Sequence, residues 1–264
     1  MSGDQTLTAS PTAAALRQRL LRERLGGAQP EPGLGGGEHP PGRFTGAAGP
    51  RRSRIPRADR SGPLPLSWGQ QQMWLLHQLA PDRADYLVPV AWRLRGPLDV
   101  AALRGAASAL AARHEILRTR YELRDGQPVQ RIDPPGTVPL PVTELPGVPD
   151  AERVHSGLDW AAATAAEPLS LAEQWPWRAA LLRFADDDHV LLLVFHHIAC
   201  DAWTTRLYAE ELGALYAGGT AAAALPEPEV QYADFAAWER AEPARAALAY
   251  WRQELAGLAP LELP

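Results

Sequence analysis

Val190-Leu191-Leu192-Leu193-Val194-Phe195-His196-His197-Ile198-Ala199-Cys200-Asp201-Ala202-Trp203-Thr204 is the stretch on which the reading of this chain turns. Val190 to Phe195 is an unbroken apolar run rich in β-branched and aromatic side chains, entered from Asp186-Asp187-Asp188. Such a run fits a strand buried on both faces and reached through a tight turn. His196 and His197 stand at its end, and a short turn with Asp201 follows. Trp203, Leu207, Leu212, Leu215 and Tyr216 then recur along what the spacing predicts as one side of a helix. A strand that delivers imidazole to the mouth of a helix is a common way to place a catalytic base.

The 264 residues, 46% of them hydrophobic, suffice for a full core and one or two domains. A net charge of −5 argues against a nucleic-acid surface. All 26 basic residues are arginine, with no lysine and no asparagine, which reads as a GC-rich genome and lowers the information carried by any one arginine. The single cysteine, Cys200, excludes an intramolecular disulfide and fits a reducing compartment. No apolar run approaches a membrane span, and the N-terminus lacks the apolar centre of a signal peptide, so the expectation is a soluble cytoplasmic protein with no membrane partner.

Outward from the central stretch, residues 1–62 divide into a leader helix and a flexible linker, and residues 63–264 form the folded body. Ser10-Pro11 opens the helix, Leu16, Leu20, Leu21 and Leu25 line it, and Gly26-Gly27 stop it. The Gly-, Pro- and Arg-rich segment that follows cannot bury enough to repay its ordering entropy. In the body, Ser67 caps a short helix, and residues 86–94 read as a strand that Pro89 confines to an edge or a bulge. Asp99 caps a helix with Leu103, Ala106, Ala107 and Leu110 on one stripe. Leu117 to Leu123 alternates as a strand with one wet face, turning at Asp125-Gly126. Residues 138–145 suggest a further strand, Asp150 caps a helix towards Ala166, and Trp177 to Phe184 pairs with Val190 to His197. The predicted fold class is therefore α/β, a layered mixed sheet with flanking helices.

Two histidines and an aspartate invite a metal, but adjacent strand residues point to opposite faces, so His196 and His197 cannot share one ion, and no other ligand cluster has the right spacing. The remaining options are one imidazole facing a cavity with the other packed inside, or two core histidines. Parity pairs His197 with Phe195 and His196 with Val194 without saying which is catalytic.

His196-His197-Ile198-Ala199-Cys200-Asp201 resembles the H-H-x-x-x-D motif of nonribosomal peptide synthetase condensation domains, which share the chloramphenicol acetyltransferase-like fold. Ser67-Trp68-Gly69-Gln70-Gln71-Gln72-Met73-Trp74 resembles the family's S-x-A-Q-x-R-L-W. Arg113 to Tyr121 resembles R-H-E-x-L-R-T-x-F, and Tyr232-Ala233-Asp234-Phe235-Ala236-Ala237-Trp238 matches Y-x-D-F-A-x-W. The resemblance implies an acyltransferase-type enzyme that forms a peptide bond between carrier-bound donor and acceptor thioesters. Its partners would be upstream and downstream peptidyl carrier domains bearing 4'-phosphopantetheine arms, with no cofactor bound by the chain itself. It also implies His197 as the catalytic imidazole, His196, Ala202 and Trp203 as supporting residues, and Asp201 as a buried structural carboxylate. The arginine expected opposite Asp201 is Arg118, with Arg113 second, and His114 is expected to pack rather than to act.

Ala202 stands where the family usually has Gly, Gly69 and Gln72 replace Ala and Arg, and Cys200 stands where Ser is frequent. His196 occupies the place of the heterocyclising relatives' aspartate, which favours ordinary joining of two L-residues. Leu261 to Pro264 resembles the crossover between the family's lobes, so the expectation is an N-terminal lobe completed by a second lobe in cis or trans. The alternatives are a non-catalytic carrier-docking lobe and a coenzyme A-dependent acyltransferase.

Overall fold

In a computed structural model, the structure describes residues 55–218, 222, 225–241 and 245–258. The leader helix expected over 10–26 and most of the linker lie outside the described residues.

Val190 to Phe195 explains the architecture. It belongs to β7 (Asp188–His196), which is buried along its whole length and flanked on both sides. β2 (Leu87–Arg95) and β6 (Trp177–Ala185) pair with it antiparallel, and β5 (Val142–Glu144) adds parallel to β6, giving the order β2-β7-β6-β5. Val190, Leu192 and Val194 enter one core, against Ala161 and Ala165 of the helix Asp150–Ala166 (α3) and Trp74 of the helix Trp68–Leu79 (α1). Leu191, Leu193 and Phe195 enter the other, with Leu103 and Leu110 of the helix Val100–Arg113 (α2) and Tyr208 and Leu212 of the helix Ala202–Ala217 (α4). Between Val190 and Phe195 the strand has a core on each face and no side turned to water, hence the uninterrupted run; each such side chain stabilises the fold by about 1.5–3 kcal/mol. Phe195 also stacks on Trp177 at 5.6 Å and 10°.

The turn chemistry holds where it was strongest. Asp125 and Gly126 both take positive φ, 52° and 74°, between β3 (Thr119–Arg124) and β4 (Gln127–Ile132), the geometry of a tight two-residue hairpin turn. With β1 (Leu64–Pro65) these form a second small sheet, β1-β4-β3. Ser67 closes a reciprocal capping box with Gln70. Asp99 accepts from Ala101 and Ala102 N at 2.9 Å. Pro89 lies on the outermost strand of its sheet, pairing in unbroken register opposite Val194.

Three local expectations are corrected. Asp150 is the first residue inside α3, and Pro149 holds the cap position. Leu117 sits in a 3₁₀ turn (Glu115–Arg118), so the strand begins at Thr119, and Leu123, next to the hairpin turn, is exposed. On α4, Trp203 and Leu207 face outwards while Thr205, Tyr208, Glu211 and Leu212 face in. At about 100° per residue, Leu212 lies opposite Trp203, so the supposed single stripe ran across two faces. Helices Tyr232–Ala241 (α5) and Arg245–Glu254 (α6) follow.

The packed region also reaches into the stretch assigned to the linker. Arg60 bridges Glu115 and Asp234, each at 2.6 Å, and Ala58 N donates to Asp234 Oδ1 at 2.8 Å.

Candidate active site

β7 ends at His196, and the chain turns there. Because side chains alternate, His196 follows Val194 into the core beneath α1, where its ring meets His77 edge to face at 5.4 Å. Its Nδ1 accepts from Ile198 N at 3.1 Å and its carbonyl accepts from Ala199 N at 2.9 Å. Burial, reinforced by the neighbouring His77 and His197, depresses the His196 imidazolium to a pKa of about 3. The ring is therefore neutral at physiological pH, with its proton on Nε2. His196 holds the turn.

His197 is anchored differently. Its backbone N donates to Tyr86 O at 2.8 Å, while its side chain is exposed and lines a cavity of about 530 Å³. The cavity lies between α1, the turn Ile198–Asp201, the start of α4 and the segment Val230–Tyr232. Tyr208 OH reaches Ala199 O at 3.4 Å behind the turn. Cys200 also borders this space, but its thiol is pushed up to about 12, chiefly by burial and further by Asp201. A thiol at that value is not a nucleophile near neutrality. Among the described residues no group of three or more His, Cys, Asp or Glu could hold a metal ion.

The separated sequence motifs meet around this cavity. Ser67 Oγ lies 3.1 Å from Tyr232 OH, and Gln70 Nε2 donates to Tyr121 OH at 3.2 Å. Glu115 N donates to Gln231 Oε1 at 3.0 Å, and Gln231 Nε2 to Arg113 O at 2.9 Å. Arg240 donates to Leu66 O at 2.6 Å and lies over the Trp68 ring at 3.5 Å.

The arginine partner expected for Asp201 is not found among the described residues. Asp201 is exposed and caps α4, its Oδ1 accepting from Thr204 N at 2.7 Å and also from Thr204 Oγ1. These hydrogen bonds hold its carboxyl below the usual range. Arg118 donates instead to Asp133 O and lies 3.9 Å from Glu115, its guanidinium pKa lowered mainly by burial. Arg113 pairs with Glu211 at 3.1 Å. A helix start offers free N–H groups to a carboxylate, and Asp201 meets that demand locally. Ala202 and Trp203 do not line the cavity; Trp203 is 82% exposed on the outer side of α4.

Sequence reasoning missed the partners of two groups, His114, which was expected to pack and does pack on Tyr208, and Asp188. His114 lines the cavity with its Nε2 2.5 Å from Glu211; the available clue was a carboxylate on the inward side of α4. Asp188, read as part of a turn, is a buried strand residue bound by Arg93 and Arg153. Three consecutive aspartates concealed which one turns inwards.

A layered α/β body with an exposed imidazole just past the end of its central strand defines the class of fold, and comparison with known proteins makes the family specific. The Condensation domain family matches residues 60–264, and the chain belongs to that family. It is 40% identical over 222 residues to the nonribosomal peptide synthetase kk1B of Curvularia clavata, covering 79% of this chain and 2% of that protein. It is 38% identical over 229 residues to the phosphinothricin tripeptide synthetase PhsC of Streptomyces viridochromogenes, covering 84% and 21%. Among solved structures, the X-domain in complex with OxyB from teicoplanin biosynthesis superposes with a TM-score of 0.67 at 29% identity, over 81% of this chain and 48% of that one. The chain thus spans a small part of its curated relatives and about half of the solved domain.

Proposed function

We propose that this chain carries the histidine-bearing side of a condensation site, in which the amine of one carrier-bound aminoacyl thioester attacks the thioester of another. The observation that carries the reading is the contrast between the neighbouring imidazoles: His196 is sealed and hydrogen-bonded, whereas His197 is open to the cavity. An unprotonated imidazole there accepts a proton from the attacking amine or holds that amine by hydrogen bond. The nitrogen forms its bond to the thioester carbon, the pantetheine thiolate leaves, and the amine's proton passes to the imidazole and on to that thiolate. Thioesters are already activated, so holding two tethered substrates together supplies much of the acceleration.

Coverage of about half of the solved domain supports a site shared with a second lobe, in cis or trans. The partners in this reading are peptidyl carrier domains, and their phosphopantetheine arms enter the cavity as substrate.

The test is dipeptide formation between aminoacyl-loaded donor and acceptor carriers, read by mass spectrometry with the second lobe supplied. Product is expected with the wild-type chain and none with His197→Ala. Wild-type-like product from that variant overturns the catalytic role. Carrier binding without product in every combination would make the chain a docking module, a reading favoured by the X-domain, whose solved structure is a complex with OxyB.

A further inference from the structure

The cavity of His197 contains a second imidazole with a different support. His114 ends α2, lines the same space, and packs edge-on against Tyr208 at 5.1 Å. Its Nε2 lies 2.5 Å from Glu211 Oε2, and Arg113 Nε donates to the same oxygen at 3.1 Å. The side chains of Arg113, His114 and Glu211 are 11%, 13% and 9% exposed. A carboxylate withdrawn from water is strongly disfavoured unless it is paired and hydrogen-bonded. Glu211 meets that requirement with two donors, and in doing so it fixes the orientation of the ring.

The consequence lies on the other edge of the imidazole. A carboxylate can only accept, so Nε2 carries a proton towards Glu211, and Nδ1 is the polar atom of the ring left for another partner. Among the described residues, Glu211 is the only hydrogen-bond partner of that ring. A carboxylate-oriented imidazole in a cavity wall, its second nitrogen paired with no described residue, is suited to a ligand that brings an N–H donor.

We propose that His114 contacts the ligand, its Nδ1 accepting a hydrogen bond from an N–H group of the thioester-bearing substrate, with Glu211 and Arg113 as positioning residues. This rests on the cavity receiving pantetheine thioesters. The N–H belongs either to the amides of the pantetheine arm or to the attacking amine, and two probes separate these sources. S-acetylpantetheine has the amides without the amine; a glycyl amide analogue of aminopantetheine has both.

The experiment uses the 264-residue chain with ¹⁵N-labelled histidine, the unlabelled second lobe supplied, and long-range ¹H–¹⁵N correlation. In the free protein His114 is expected in the Nε2–H form. Addition of probe is expected to move its Nδ1 resonance upfield; a response to both probes assigns the arm amide, and a response to the glycyl analogue alone assigns the amine. His114→Phe is expected to weaken binding about tenfold, or about 1.4 kcal/mol. His114→Asn, which keeps an acceptor near Nδ1, should recover part of that loss, a rescue that a packing role would not produce. If the probes shift His197 while His114 Nδ1 stays fixed and His114→Phe binds normally, the inference falls and the proposed function stands. If neither imidazole responds to either probe, both fall.

Discussion

The backbone N–H of Ile198 donates to Nδ1 of His196 at 3.1 Å, so one histidine of the adjacent pair serves as the fastener for the turn that presents the other. That bond requires an unprotonated Nδ1. The ring is 3% exposed, and its imidazolium is depressed to about 3 by burial and by His77 and His197 nearby.

Acid should therefore begin to lower the stability of the whole fold well before carboxylates titrate. An unfolded histidine takes up a proton near pH 6.5, while folded His196 resists until about 3. Below 6.5 the unfolded state binds the extra proton, so stability is full above that value and declines as pH falls towards 3, by at most about 1.4 kcal/mol per pH unit for this residue. His77 and His189 are depressed in the same direction, chiefly by burial, and add to the decline. Urea denaturation between pH 5 and 8 should show the slope, and His196→Asn, which retains an acceptor near Nδ1 without the titration, should flatten it. An unchanged slope would remove His196 from the account.

The two imidazoles should also separate by mutation. His196→Ala opens a buried space and strands the Ile198 N–H, a loss of about 3 kcal/mol. His197→Ala removes an exposed side chain whose anchoring bond to Tyr86 is made by the backbone, so stability should change by less than about 0.5 kcal/mol. Thermal denaturation of the two variants side by side checks this, independently of any activity.

Asp201 behaves in the structure as a helix cap. Asp201→Ala should cost about 1 kcal/mol, and Asp201→Asn, which still accepts from Thr204 N, only a few tenths. A buried ion pair would instead lose about 3 kcal/mol in either variant. Chemical denaturation distinguishes the two, and a loss of the larger size with Asn would restore an arginine partner.

What was legible in the sequence is what local chemistry dictates. Val190 to Phe195 has no polar residue because cores lie on both faces, Asp125-Gly126 supplies two consecutive positive φ values, and Ser67 and Asp99 satisfy free helix N–H groups nearby. The same strand-end alternation that argued against a shared metal separates His196 from His197. What was hidden depends on partners distant in sequence. Arg60 meets Asp234 across 174 positions, His114 meets Glu211 across 97, and Arg113 and Arg118 found other acceptors than Asp201. With every basic residue an arginine, pattern alone could not say which arginine serves which acid.

Asp188 offers the sharpest case of such a hidden partnership. It opens β7, its side chain is 6% exposed, and Arg93 Nε and Nη2 grip its two oxygens at 2.8 and 2.6 Å while Arg153 Nη1 adds a third bond at 2.9 Å. Arg93 comes from β2 and Arg153 from α3, so one carboxylate ties the edge strand and a covering helix to the central strand. The arginine hydrogen bonds hold its pKa at about 2. That depression adds stability above an unfolded aspartate's range, lost as pH falls from about 4 towards 2, a window below that of the histidines. Asp188→Asn keeps the shape but leaves two guanidinium groups without their carboxylate, and a loss of about 3 kcal/mol is expected. Arg93 keeps Asp150 at 3.0 Å, so Arg153→Met added to Asp188→Asn should cost less than Arg153→Met alone. The four proteins form a double-mutant cycle by urea denaturation, and additive losses would show that the carboxylate and Arg153 do not act as a pair.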